Sequence, residues 1–273
     1  MDRRRMCPNC RAFIDAGDKK CPYCGVSVGP RAIDVRAPSD LLGGFIPHAR
    51  FATSMILLVN VALYAAAMLY SMRSGNSHAL MNIDGETLFH FGAKYPLAIY
   101  QGQWWRLITA GFLHGGLFHI LMNSWVLFDL GAQVEELYGS ARMVVFYFLT
   151  TVAGFAASTW WSASLSVGSS AGIFGLIGVM IALGVGQRNP MGDAIKGMYI
   201  RWVIYMTLIG LLFNIDHAAH FGGLASGFLL GFVSGLPHAG SRETPWKLAA
   251  YACLMITGFA FLQMYFWFSA AGR

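Results

Sequence analysis

The sequence predicts an all-α, polytopic membrane protein carrying a small metal-binding head. Three observations lead there. Of 273 residues, 56% are hydrophobic and only 12% charged, with a mean hydropathy of +0.52, whereas a soluble domain carries about 25% charged residues. Seven apolar stretches follow one another from residue 51 onward, each near the ~20 residues that cross a bilayer. The first fifty residues depart from this pattern, holding four of the five cysteines and nine of the nineteen Lys and Arg. The expected organisation is a head at 1–28, a linker at 29–50, a six-helix core at 51–236, and a loop with a seventh helix at 237–273.

In the head, Cys7, Cys10, Cys21 and Cys24 form two C-x-x-C pairs separated by ten residues. That spacing lets four thiolates close a tetrahedral zinc site on two tight turns. The segment is too small to bury a core, so a structural zinc ion is expected to hold it folded. Alone, CPYC at 21–24 also matches a redox motif, but no βαβ pattern surrounds it. The head resembles a zinc ribbon, which suggests an adaptor role toward a protein partner. Pro30, Pro38 and Pro47 mark the linker.

The spans are expected near 51–72, 112–134, 142–162, 170–187, 198–213, 217–236 and 247–268. A charged opening segment in place of an apolar one argues against a cleavable signal peptide. With the N-terminus in the cytoplasm, fifteen Lys and Arg, including Arg142, Arg188, Lys196, Arg201, Arg242 and Lys247, fall inside. Arg73, Lys94, Arg106 and Arg273 fall outside, and such an excess on one side sets orientation. A reducing cytosol also suits four free thiolates. The net charge of +6 is therefore topological, and no nucleic-acid partner is expected.

Spans two, four and six then all begin at the outer face. Span two opens with His114, His119 and Asn123, span four with Ser169 and Ser170, and span six with Asp216, His217 and His220. Polar residues converging at one membrane depth mark a functional site. Ser170, at a helix start where backbone amides are free, is the expected nucleophile, and His220 its base. Gly172, Gly175 and Gly178 on span four, with Gly223, Gly227 and Gly231 on span six, are expected to let the two helices approach closely. Ser169 reads as a cap, Asp216 as an N-cap, His217 as a solvated surface residue and Asp129 as a hydrogen-bonding group inside the bundle.

The segments GSSA at 168–171 followed by GIFG, AHFGG at 219–223, HGGLFHILMN at 114–123, WWR at 104–106 and LGAQVEELYG at 130–139 resemble the rhomboid family of intramembrane serine proteases. The resemblance runs from about residue 50 to 236. It implies a rhomboid-like six-helix bundle and a Ser170–His220 dyad that needs no catalytic cofactor. It further implies that His119 and Asn123 act as oxyanion donors with the Ser170 amide, that Trp105 and Arg106 support the site from a first loop, and that Glu135 and Gly139 form a structural pair. Two positions depart from the usual pattern: Ala171 follows the nucleophile, and Phe174 would pack on the base without a phenol hydroxyl. The implied substrates are transmembrane proteins, cut within the bilayer on the extracytoplasmic side, in a bacterial inner membrane. A catalytically idle, client-binding relative is the alternative. The G-x-S-x-G of soluble hydrolases needs a preceding strand that a helical bundle cannot supply, and no H-E-x-x-H supports a metalloprotease.

Overall fold

A computed structural model describes residues 4–7, 9–10, 12–15, 18–28, 50–212, 215–236 and 243–271. The expected linker, except Arg50, lies outside the described residues, as do Arg242 and Arg273 of the charge count. The chain divides into two compact units, Met1–Pro47 and His48–Arg273.

In the first unit, strands β1 (Arg4–Met6) and β2 (Phe13–Asp15) pair antiparallel. The Cys7 amide closes this hairpin on the Ala12 carbonyl. A second, shorter ladder joins Lys20 and Ser27, turning at Gly25 with φ +71°. Each C-x-x-C pair therefore rides on its own hairpin turn. Among the described residues the apolar interior of this unit is Cys7, Ile14, Cys21 and Val28, too little to hold a fold without a cross-link.

The second unit is helical. It contains α1 (Phe51–Arg73), short helices α2 (Gly85–His90), α3 (Pro96–Tyr100) and α4 (Arg106–Thr109), then α5 (Leu117–Tyr138), α6 (Ser140–Trp161), α7 (Ser170–Gly186), α8 (Pro190–Gly210), α9 (His217–Ser234) and α10 (Thr244–Ala271). Four of these, α1, α5, α6 and α10, are long and apolar enough by length and composition to cross a membrane. Helix α7 is as apolar but has 17 residues. It can be short because it is the hub, buried without interruption from Ala171 to Met180 and packed on α5, α6, α8 and α9. Polar residues set α8 and α9 apart: Asp193, Lys196 and Arg201 on the former, two histidines on the latter. The result is an integral, multi-pass membrane protein.

Two boundaries differ from the hydropathy reading, each for a local reason. Span two starts at Leu117 and not near 112, because a 3-10 turn at Ala110–Phe112 and Gly115–Gly116 interrupt the chain first. Span five starts at Pro190 and not near 198, because the Asn189 side chain accepts from the Gly192 amide at 2.8 Å and caps a polar first turn. Hydropathy cannot register a helix turn that carries charge. Glu135 closes the expected structural pair. Its carboxylate accepts from the Ala52 and Thr53 amides at 2.9 Å each, the Thr53 hydroxyl at 2.8 Å and the Ser140 hydroxyl at 2.7 Å. One buried acid thus joins the start of α1 to the turn at Gly139, where φ is +84°.

Helices α7 and α9 meet backbone to backbone. A Cβ on Gly223 would overlap the Ala171 carbonyl oxygen, one on Gly227 that of Gly175, and one on Gly178 that of Leu224. The expected pairing of glycine faces holds for those positions. Gly172 and Gly175 differ: a Cβ on either would run into α6, against Thr151 and Tyr147 or against Thr150. Their bare sides admit α6, so α7 is approached closely from two directions. Asp129 also departs from expectation, being exposed and accepting from Gln133 at 3.1 Å. It lies on the outer side of α5, one turn from the Gln133 that receives the Tyr199 hydroxyl at 3.1 Å.

Candidate active site

Ser170 is the first residue of α7 and His220 lies in the first turn of α9. The close approach of the two helices brings Ser170 Oγ to 2.8 Å from His220 Nε2. Phe174, one turn below the serine, stacks on the imidazole with centroids 4.1 Å apart and planes 15° from parallel. That contact holds the ring's plane and, as expected for phenylalanine, adds no hydrogen bond.

Ser169 is directed elsewhere. It is fully buried, and its hydroxyl meets His114 Nε2 at 3.3 Å. It occupies the N-cap position without a side-chain capping bond, so its expected capping role is replaced by contact with His114. The geometry therefore separates the two adjacent hydroxyls. Asp216 takes the N-cap position of α9, accepting from the Ala219 amide at 3.0 Å and from the Ser158 hydroxyl. Both carboxylate oxygens are engaged away from His220. His217 is half-buried and not a solvated residue, because its ring lies against the bare Cα side of Gly210.

His119 Nδ1 accepts from the Gly115 amide at 3.5 Å. In the neutral tautomer that accepts at Nδ1, the ring proton sits on Nε2. A Cβ on Gly168 would lie 2.8 Å from this Nε2 and 3.4 Å from Ser170 Oγ. Gly168, with φ +134°, thus gives both the turn into α7 and the space between the His119 ring and the Ser170 hydroxyl. Asn123, one helical turn below His119, has a buried Nδ2 with no hydrogen-bond partner. A free amide donor in such a place is expensive unless something fills it. The first turn of α7 adds backbone amides without intrahelical partners.

Ser170, His220, His119 and Asn123 all line one cavity of about 620 Å³. Its walls come from α5, the segment 162–167, α7, α8 and the start of α9. Trp202, Met206 and Ile209 of α8 make one side apolar, while Ser162, Ser164 and Ser166 line another.

Arg106 is fully buried, so interfacial anchoring does not describe it. It donates to Gln103 Oε1 at 2.7 Å and to the carbonyls of Phe89 and Ala93 at 2.7 and 2.9 Å. Its guanidinium lies 4.1 Å from the Phe89 ring centroid, 4.6 Å from Trp105 and 5.6 Å from Trp267 of α10. Lys94 is the residue sequence reasoning missed. It was counted only as an outside charge, yet it is fully buried and bonded to the cavity-lining segment. The available signal was a single lysine among aromatic and apolar neighbours, from Phe91 to Tyr95.

In the separate head unit, the four cysteine sulfurs lie within 4.8 Å of one another. Cys7 and Cys24 are 3.7 Å apart at sulfur, Cys10 and Cys21 3.6 Å. Disulfides would need about 2.05 Å, whereas a tetrahedral zinc with ~2.3 Å bonds spaces its sulfurs by about 3.8 Å. The donor set fits zinc.

Fold and site together define a polytopic helical membrane protein with a serine–histidine pair lining a cavity among its helices. The chain belongs to the rhomboid family: the profile described as Rhomboid domain matches residues 101–236. YdcA of Bacillus subtilis (strain 168) is 34% identical over 143 residues, 51% of this chain and 71% of that protein. Rhomboid protease GluP of the same strain is 34% identical over 194 residues, 68% of this chain but 38% of GluP. Inactive RHOMBOID-like protein 8 of Arabidopsis thaliana is 32% identical over 204 residues, covering 66% of this chain and 58% of its own length. This chain thus spans well under two thirds of the latter two relatives.

Proposed function

We propose that the chain is an intramembrane serine endopeptidase that hydrolyses peptide bonds in or near the transmembrane segments of other membrane proteins. One observation carries the reading, the 2.8 Å contact between Ser170 Oγ and His220 Nε2 on the wall of a cavity among apolar helices. His220 takes the Ser170 proton as the hydroxyl oxygen attacks the scissile carbonyl carbon. The carbonyl oxygen becomes an oxyanion, met by His119 Nε2–H, Asn123 Nδ2 and the Ser170 amide. Collapse of the tetrahedral intermediate breaks the C–N bond, and His220 passes its proton to the leaving amine. Water, deprotonated by the same imidazole, then releases the acyl group and restores Ser170. The partnerless Asn123 amide supports the oxyanion assignment. A helical substrate must unwind to present its carbonyl, because helix hydrogen bonding hides it.

The proposed orientation has the head in the cytoplasm and the site toward the extracytoplasmic side of a bacterial inner membrane. The excess of Lys and Arg on the inner ends supports it. Trp160 and Trp161, 83% and 80% exposed at the outer end of α6, suit an interfacial aromatic belt. In the head, Cys7, Cys10, Cys21 and Cys24 would hold one zinc ion, which supplies a cross-link in place of a core. The head's partner is proposed to be another protein.

The protein reconstituted in liposomes with a single-span substrate tests the reading. Ser170→Ala should reduce cleavage by at least about 10⁴-fold, and a fluorophosphonate should label the native chain at Ser170. Undiminished cleavage by Ser170→Ala would reject the assignment, and an unlabelled, inactive native chain would favour the idle alternative. Elemental analysis should find zinc bound to the native chain and lost from Cys7→Ser with Cys24→Ser. Equal zinc in both would remove the ion from these cysteines.

A further inference from the structure

Lys94 lies between α2 and α3 and is fully buried. Its ammonium donates to the carbonyl oxygen of Ser162 at 2.8 Å and of Ser164 at 3.1 Å. Its backbone forms an antiparallel bridge with Ser166, N–H to O at 2.9 Å one way and 3.0 Å the other. Among the described residues no carboxylate forms an ion pair with it. A buried ammonium with no carboxylate at ion-pair distance is costly in a membrane protein; its carbonyl acceptors, and the Asp216 carboxylate acting from farther off, offset that cost. Ser162 is the C-cap of α6, where the negative end of the helix dipole and free carbonyls favour a cation.

The two sides of this contact differ in rigidity. Around Lys94, the Gly92 carbonyl accepts from the Thr109 hydroxyl at 2.7 Å, the Ala93 carbonyl from Arg106 at 2.9 Å, and the Ala93 amide donates to Leu88. Residues 162–167 have no regular structure beyond the bridge to Lys94, yet Ser162, Ser164, Leu165, Ser166 and Val167 all line the cavity. The segment leads within a few residues to Ser170.

We propose that Lys94 is a positioning residue for substrate: by capping α6 and pairing with Ser166 it sets the cavity wall at 162–167, and so the register in which a polypeptide reaches Ser170. It touches no reacting atom. This rests on the serine-endopeptidase reading, and the test separates the two. Full-length protein in liposomes is compared as native, Lys94→Met, which keeps length without donors, and Lys94→Arg, which keeps donors for both carbonyls. Fluorophosphonate labelling of Ser170 reports the dyad alone. Cleavage of a single-span substrate reports the wall.

Lys94→Met should retain labelling while kcat/KM for the substrate falls by about ten- to a hundredfold, the loss that misplacement near 1 Å brings, with cuts spreading to neighbouring peptide bonds. Lys94→Arg should restore most of both rate and cut position. Labelling and cleavage falling together in Lys94→Met would make the lysine merely structural, and unaltered cleavage would give it no role; either result overturns the proposal. A native chain that is not labelled at all would overturn the serine reading itself, and this inference with it.

Discussion

Helices α9 and α10 pack onto the same bundle by opposite means. α9 presents glycine, and its backbone touches that of α7 at Gly223 and Gly227. α10 presents rings: Phe259 stacks on Trp104 at 6.1 Å, Phe261 meets Phe112 at 5.4 Å, Trp267 meets Phe89 at 6.1 Å, and Phe268 meets Tyr70 and Phe91 at 5.2 Å each. At its start, Arg142 pairs with Glu243 at 2.8 Å and lies over the Trp246 ring at 5.0 Å. The difference follows from what each helix must hold. α9 carries His220, which sits 2.8 Å from Ser170, a distance the proposed reaction requires, and close backbone packing of small residues fixes how the two helices meet. α10 covers the short helices α2 and α4, where area of contact counts for more than one distance.

Substitutions can break this contrast. The largest effect is expected from Gly227→Ala. Its new methyl would overlap the Gly175 carbonyl oxygen, and rigid backbone on both sides leaves no side chain to yield. Overpacking of about 1–3 kcal/mol should lower the thermal midpoint in detergent, and cleavage should fall by more than about a hundredfold as Ser170 and His220 separate. Retained activity would mean that the glycine contact does not set the dyad. Trp267→Ala should reduce cleavage less and by another route, removing the half-buried ring beside Arg106 and Phe89. A loss of about 1–3 kcal/mol, with activity reduced severalfold and restored in part by Trp267→Phe, would place α10 as a support for the first loop. The smallest effect belongs to Gly258→Ala on α10. Nothing lies within 4 Å of the added methyl, so helix propensity alone should raise stability by up to about 1 kcal/mol. The same substitution would then have opposite signs on the two helices, a sharp check on the comparison.

Much of the site was legible because its chemistry is local in the chain. Ser170 and His220 stand at helix starts followed by glycines at three- and four-residue spacing respectively, and that spacing is a property of sequence. Lys94 was not legible for the converse reason. A lysine in a loop has the same composition whether it faces water or caps a helix 68 residues later, and only the fold distinguishes them. Gly172 and Gly175 read as facing α9 because they share a motif with Gly178. Their bare Cβ sides face α6 instead, although the Gly175 carbonyl still meets Gly227, since helical spacing names a stripe and not the neighbour that fills it. Asp129 shows the same gap, because rotation of α5 about its axis turned it outward.

What the amino-acid sequence determined alone was residence in the membrane, the rough position of the long helices, and a head with four clustered cysteines. These depend on hydropathy and short-range spacing, which survive any arrangement of the helices. Tertiary structure decided which of two adjacent hydroxyls meets His220, that the Asn123 amide is left without a partner on the same cavity, and that Lys94 is bonded to the cavity-lining segment 162–167. Those outcomes depend on helix rotation and on how closely two backbones approach, quantities that arise only when all the helices pack at once.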